Sequence, residues 1–480
     1  MNFEALRSPV HFLQQAGICA DQNWLSEYEA WFEREGQEIS DAVDRAGTPW
    51  LRMFDRLGTR VDEILYPPEY WRMLKHGYRN GVLWRVFEQN SLIPAYLLLY
   101  ATGFYDPGLA CPYTVSLSTA APLYKYGEPE IKARFLPKML LRDDSVWQGA
   151  TWMTEIKGGS DLGTAVETAA QPDGNRWRLT GDKYFASNAG AELAVVAARP
   201  EGAPRNVRGL SLYLVPRCTE DGRLNYQIRR LKDKIATRSV PTGEIELHNS
   251  ESWLLGQAEQ GIYLILEVLN ASRVANSVGS VALAQRAMAD AYSFAEGRTA
   301  FGKPIIEHPL LRRQFEDRLN GLRAASALAW EAVRLLDQVW QEKPPYSDSY
   351  HLFRLVAHLA KYWTAEFALQ TAKWAMEVYG GVGTLQEYRV ERWLREAMIL
   401  AIWEGTSHRQ MLDGLEVMQR KGAHRLLFQH LGGKASAARL REREARVEQQ
   451  LALPEVEREG TLESVFSDLA SFTAQTLLGY

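Results

Sequence analysis

Met153-Thr154-Glu155-Ile156-Lys157-Gly158-Gly159-Ser160-Asp161 marks the point where the texture of this 480-residue chain changes. Upstream, residues 1–145 read as a helical domain, with long mixed segments such as Leu25 to Gly36 and Pro67 to Gly77. In it Tyr70, Leu74, Tyr78 and the run Ile93 to Tyr100 mark the packed faces. Downstream, short alternating runs appear: Trp177 to Thr180, Leu193 to Ala197, Leu210 to Val215 and Glu244 to Leu247. Pro172-Asp173-Gly174, Gly202-Ala203-Pro204 and Asp221-Gly222 divide them, which predicts an antiparallel β domain over 146–252. After Gly261 the period returns to 3.6. Phe315, Leu319, Leu322, Ala325, Ala329, Val333, Leu336 and Trp340 stripe one long helix, and Leu352, Leu355, Leu359, Trp363 and Phe367 stripe another that stops at Gly380-Gly381. Two long helices joined by a short Pro344-Pro345 loop predict a helical bundle over 253–422, followed by a helical tail over 423–480. The fold class is therefore α+β, in the order helical, β, helical.

Composition excludes several functions. With 46% hydrophobic and 24% charged residues the chain can bury large cores, and a net charge of −4 supplies no global basic field for nucleic acid or anionic lipid. Cys19, Cys111 and Cys218 are widely separated, so neither a disulfide framework nor a metal site is expected. The start lacks a basic region followed by an apolar run, and no stretch reaches 18 uninterrupted apolar residues. An unprocessed cytoplasmic protein with no membrane span is the expectation.

Four segments carry chemistry. The Met153 to Asp161 segment can present N–H groups and the Thr154 and Ser160 hydroxyls to a planar, polar-edged ligand, although spacing alone favours an ordinary Gly-Gly hairpin capped by Ser-Asp. Lys183-Tyr184-Phe185-Ala186-Ser187-Asn188 offers an aromatic and a hydroxyl, or an ordinary strand with Phe185 in the core. Arg298 to Pro304, after a helix from Ser280 to Glu296, suits pyrophosphate recognition or a solvated helix end. Finally, Gly380-Gly381-Val382-Gly383 allows close backbone approach to a phosphate or caps a helix, and Glu404 in Ile402-Trp403-Glu404-Gly405-Thr406-Ser407 is a carboxylate between a bulky ring and a glycine. Desolvation there would raise its pKa toward the range of a general base; an exposed acid at a helix start is the alternative.

All four segments occur in the order and spacing of the acyl-CoA dehydrogenase family, which the chain resembles from about residue 60 to 422. It is most similar to the AidB-like, alkylation-response branch, on Met153 to Asp161, Arg230 to Ser239, Trp253 to Gly256, Gly261 to Leu266, His308 to Arg312 and Ile402 to Gly405. The resemblance implies FAD, an acyl-CoA thioester substrate, an electron-accepting partner and a homotetramer whose FAD sites span subunits. By position, Met153, Thr154 and Ser160 resemble contacts to the flavin and its phosphates, and Phe185 and Ser187 the pair beside the isoalloxazine, where Trp and Thr are usual. Arg298 and Phe301 resemble the pair that reaches a neighbouring subunit's FAD, and Gly380, Gly381 and Thr406 further FAD contacts. Glu404 resembles the base that removes the α-proton, and Arg273 an arginine beside the active site, where it would contact substrate.

The sequence departs from the family pattern at Pro309 and Glu377, where many members carry a glutamine that contacts FAD. Ser272 and Arg273 stand on the helix where some relatives place their base, and neither can serve as one. The AidB-like branch also implies an alternative, duplex DNA binding through a basic C-terminal extension. Here residues 421–480 carry as many acids as Lys and Arg, leaving Arg439 to Arg446 as one small patch.

Overall fold

The computed structural model describes residues 3–20 and 22–479, and these form two compact units. One comprises Met1–Glu29, Gly103–Tyr105 and Arg273–Tyr480; the other Ala30–Thr102 and Asp106–Ser272.

The second unit is built on nine strands: β1 Trp50–Phe54, β2 Arg60–Leu65, β3 Gly149–Trp152, β4 Ala169–Asp173, β5 Arg176–Ser187, β6 Leu193–Pro200, β7 Ser211–Pro216, β8 Gln227–Leu231 and β9 Thr242–Leu254. β6 pairs with β7, β7 with β9, β9 with β5, β5 with β4, and β4 returns to β6; β3 joins β6 and β8 joins β9. The sheet is antiparallel as expected except where β3 and β4 run parallel to β6. β6 is buried from Leu193 to Ala198, which is why its sequence reads as a continuous apolar run rather than an alternation. Trp152, Tyr213, Tyr226 and Ile245 fill the core, and the Trp152 indole donates to Ser187 O at 3.1 Å.

The β1–β2 hairpin was not expected within residues 1–145. Its strands are short, but its turn chemistry is local: Asp55 accepts from the Leu57 and Thr59 amides, and Gly58 adopts φ +84°.

The first unit is a helical bundle. It takes the part from Arg273 onward of the helix Gly261–Gly297, which is far longer than the Ser280 to Glu296 segment suggested by the sequence; between Val274 and Ala291 its residues are buried almost without break. The helices Pro309–Val339 and Asp348–Tyr379 follow the predicted stripes; Ser347 caps the second, its hydroxyl accepting from the Tyr350 amide at 3.2 Å. Residues 423–479 pack into this unit. The Leu462–Leu478 helix buries Phe466 against Gly414, where a Cβ would lie 2.5 Å from the Phe466 ring.

Candidate functional site

Glu404 lies in the short turn between the helices Val390–Ile402 and Ser407–Lys421. Its φ is +59°, a left-handed conformation that costs a residue with a Cβ about 1–2 kcal/mol and persists only where surroundings enforce it. Two side chains do so. Arg273 Nε donates to the Glu404 carbonyl at 3.1 Å, and Gln410 Nε2 donates to the Glu404 and Gly405 carbonyls at 3.0 and 3.1 Å. Arg273 is itself anchored on buried Asp413 at 2.9 Å, which Arg409 also contacts. Since the Gln410 amide nitrogen is committed to carbonyls, its oxygen accepts from His358 Nδ1 at 2.9 Å. Burial and Arg273 hold that imidazole down at about 3, so it is neutral.

The backbone is clamped while the carboxylate is left without a donor among the described residues. Burial lifts the Glu404 carboxyl to about 7, against Arg273 and Lys361, which favour the ionised form. Beside it the Trp403 indole N–H is buried with no partner. A half-buried carboxyl poised near neutrality, held in a fixed direction and free to accept a proton, is suited to general-base work. The exposed helix-start alternative for Glu404 is thereby overturned.

Lys361 was missed by the sequence reading. It is buried on the Asp348–Tyr379 helix and donates to Ala401 O at 3.0 Å, under the Glu404 turn. Burial pulls its ammonium down to about 7, against Glu404 and Glu366, which favour the charge, and with Arg273, which does not. Its signal was a lone lysine within the apolar run Leu355 to Tyr362. His358, Gln410 and Asp413 carried no local signal at all.

In the other unit the structure brings Met153, Thr154, Phe185 and Ser187 to one place. The Thr154 carbonyl accepts from the Tyr184 amide at 3.0 Å, tying the end of β3 to β5. Phe185 and Ser187 point to the same side of β5, with Ala186 buried between them. Phe185 is 53% exposed, which corrects the reading that would place it in the core. An irregularity in the β5–β9 register between Lys183 and Ala186 turns it outward. Gly159 is required sterically: a Cβ there would lie 2.5 Å from Thr154 Oγ1. Met153 is buried, Ser160 exposed.

Arg298 and Phe301 belong to a small hairpin, Thr299–Ala300 against Lys303–Pro304. Phe301, at its tip with φ +53°, is 96% exposed. Gly380 ends the preceding long helix with φ +63°, and a Cβ on Gly380 or Gly381 would meet nothing within 4 Å. Thr406 is exposed at the start of the helix after Glu404. Among the described residues no cluster of three or more His, Cys, Asp or Glu could hold a metal, and no helix is long and apolar enough to cross a membrane.

Three family models match: the Adaptive response protein AidB N-terminal domain over residues 5–144, the acyl-CoA dehydrogenase middle domain over 150–250 and the acyl-CoA dehydrogenase C-terminal domain over 259–419. Putative acyl-CoA dehydrogenase AidB of Escherichia coli is 29% identical over 87% of this chain and 79% of its own length. Acyl-CoA dehydrogenase family member 11 of Caenorhabditis elegans is 29% identical over 80% of this chain, which spans 66% of that relative. Among solved structures, Bd2924 in its apo form superposes with a TM-score of 0.87 at 27% identity, covering 99% of this chain and 96% of that one. Caenorhabditis elegans ACDH-11 in complex with C11-CoA gives 0.83 at 24%, covering 99% and 86%, and a Bacillus anthracis acyl-CoA dehydrogenase complexed with FAD gives 0.77 at 18%, covering 99% and 83%.

Proposed function

This chain belongs to the acyl-CoA dehydrogenase family, in its AidB-like branch, and from that premise we propose that it is an FAD-dependent oxidoreductase that removes the α-proton of an acyl thioester with Glu404. The observation that carries the reading is Glu404 itself: a carboxyl near neutrality, without a donor, on a backbone clamped in a left-handed turn.

The residues present fit FAD. Phe185 offers an exposed aromatic ring, and Ser187 and Thr154 offer hydroxyls from the adjoining segments of β5 and the end of β3. FAD, when bound, supplies the hydride acceptor for the substrate's β-hydrogen. Glu404 takes the α-proton as the carbon–carbon double bond forms, and its own amide, which faces no described acceptor, is available to polarise the thioester carbonyl. Arg273 acts on substrate through Glu404: its guanidinium is spent on the Glu404 carbonyl and Asp413, so we assign it to positioning. The exposed hairpin tip at Arg298 and Phe301 supports a role toward a neighbouring subunit's FAD in a homotetramer. C11-CoA in the nematode structure supports an acyl-CoA as the substrate class. Electrons would leave to a separate acceptor protein.

The alternative, duplex DNA binding, has its relatedness in the AidB-type N-terminal domain. The C-terminal patch supports it poorly: Arg443 and Arg446 pair with Asp468, and Arg425 with Glu448. The test is to purify the protein, record its visible spectrum and add acyl-CoAs of varied length and branching without oxygen. Flavin bleaching by at least one is expected; a flavin that no thioester bleaches sinks the dehydrogenase reading.

A further inference from the structure

One helix of the bundle unit grips the Glu404 turn at both ends. On the helix Asp348–Tyr379, Lys361 Nζ donates to Ala401 O at 3.0 Å, three residues before Glu404. Glu366 Oε1 accepts from Ser407 Oγ at 2.7 Å, three residues after it. The two grips lie five residues apart, about 7.5 Å along the helix axis. They differ in exposure: Lys361 is buried, whereas Glu366 is only half-buried and keeps contact with solvent.

Holding one carbonyl does not account for a lysine at this place. An amide or a hydroxyl would satisfy Ala401 O, and a buried ammonium is costly unless its charge and its donors are met. One of its three N–H groups is spent on Ala401, and no described residue accepts from the other two. Three charges act on this ammonium: Glu404 and Glu366 favour it, and Arg273 opposes it. The charges that act on the Glu404 carboxyl are Arg273 and Lys361. Arg273 is committed to the Glu404 carbonyl and Asp413, and a guanidinium does not give up its proton. Lys361 is therefore the one of the two that can exchange a proton with the acid. Burial brings both groups to about 7, so a proton passes between them at little cost.

We infer that Lys361 carries the proton abstracted by Glu404 out of the site and hands it to Glu366, an inference that rests on the dehydrogenase reading above. While a thioester fills the site it stands between Glu404 and the water outside, and each oxidation leaves one proton on the carboxyl. Neutral Glu404 no longer favours the buried ammonium. An N–H bond of Lys361 then breaks and an O–H bond forms on Glu366, which yields the proton to solvent. The free amine takes the proton of Glu404: that O–H bond breaks, the N–H bond is restored, and both groups regain their charges. One proton leaves for each thioester oxidised, and no electron moves in the relay.

The first arm of the experiment needs no substrate. In flavin-loaded, full-length protein labelled with 15N-lysine, the Nζ signal of Lys361 is assigned by its loss in Lys361→Arg and followed against pH. Glu404→Gln should move its midpoint down from near 7 by about one unit or more, because the charge that favours the ammonium is gone. The second arm mixes the protein, in weak buffer with a pH-indicator dye and without oxygen, with an acyl-CoA that bleaches the flavin. Lys361→Arg keeps the cation but cannot pass a proton, and Glu366→Gln keeps an oxygen for Ser407 but cannot take one. Each should slow proton release relative to bleaching about tenfold or more. Glu366 is half-buried, so Glu366→Gln decides the matter if Lys361→Arg does not fold. A Lys361 midpoint unmoved by Glu404→Gln, or proton release as fast in the folded variants as in the parent, overturns the relay while bleaching leaves the dehydrogenase reading standing. A flavin that no thioester bleaches overturns both.

Discussion

Two glutamates, one in each unit, sit beside glycine-rich turns and near a buried lysine, yet their environments push them in opposite directions. Glu155 accepts from Lys183 Nζ at 2.6 Å, from the Thr168 hydroxyl at 2.6 Å and from the Glu167 amide at 2.7 Å. Burial alone would raise its pKa, but these donors outweigh burial and hold it below the ordinary carboxylate range. Glu404 has its donors on the wrong atom for that: they satisfy its carbonyl, no described residue donates to its carboxylate, and burial outweighs the charges of Arg273 and Lys361. Glu155 is a structural anion that fastens the Met153 to Asp161 turn to β5; Glu404 is an acid kept on the edge of ionisation. A lysine ammonium in direct contact with the carboxylate, joined by hydrogen bonds from Thr168 and the Glu167 amide, separates Glu155 from Glu404.

The sharpest test of that distinction is Glu404→Gln, which keeps the shape and removes the proton acceptor. Flavin content should stay intact while the thioester-dependent bleaching rate falls by about 10²–10⁴-fold; an unchanged rate would falsify the base assignment. The stability signs also oppose one another. Because the folded-state pKa of Glu404 is raised, its contribution is full below the ordinary carboxylate pKa and is lost as pH rises through about 7. Urea unfolding should therefore favour the Gln variant over the parent increasingly from pH 5 to pH 8. Glu155, with a lowered pKa, contributes above the ordinary range and loses that contribution as pH falls.

Breaking the other side of the comparison, Lys183→Met leaves Glu155 buried without its cation and should cost about 3–5 kcal/mol in chemical denaturation. A loss under 1 kcal/mol would mean that Thr168 and the Glu167 amide suffice for Glu155.

The smallest expected effect belongs to Lys361→Met. Removing a cation that favours ionised Glu404 should move the rise of the bleaching rate with pH, centred near 7 in the parent, to higher pH by about one unit. The limiting rate at high pH should be little changed. A profile that stays in place, or moves to lower pH, would show that Lys361 serves packing and not the acid.

Much of the architecture was legible because its causes are local. The stripe from Phe315 to Trp340, the alternation after Met153 and the glycine stop at Gly380 each express side-chain periodicity or backbone preference within a few residues. The hairpin around Asp55 to Thr59 went unread although its turn chemistry is equally local. The segments that carry Met153, Thr154, Phe185, Ser187 and Glu404 were likewise visible as strings.

What the sequence by itself determined, then, is the order of helix, sheet and helix, the family and the candidate acid. The tertiary structure alone decided what that acid is: its carbonyl is clamped by Arg273, 131 residues away in sequence, and Lys361 reaches the carbonyl of Ala401 from 40 residues away. It likewise turned Phe185 outward and set Glu366 against Ser407 at the far end of the same turn. Propensity and periodicity act between neighbours along the chain, whereas desolvation, charge and hydrogen bonding depend on what folding places beside a group.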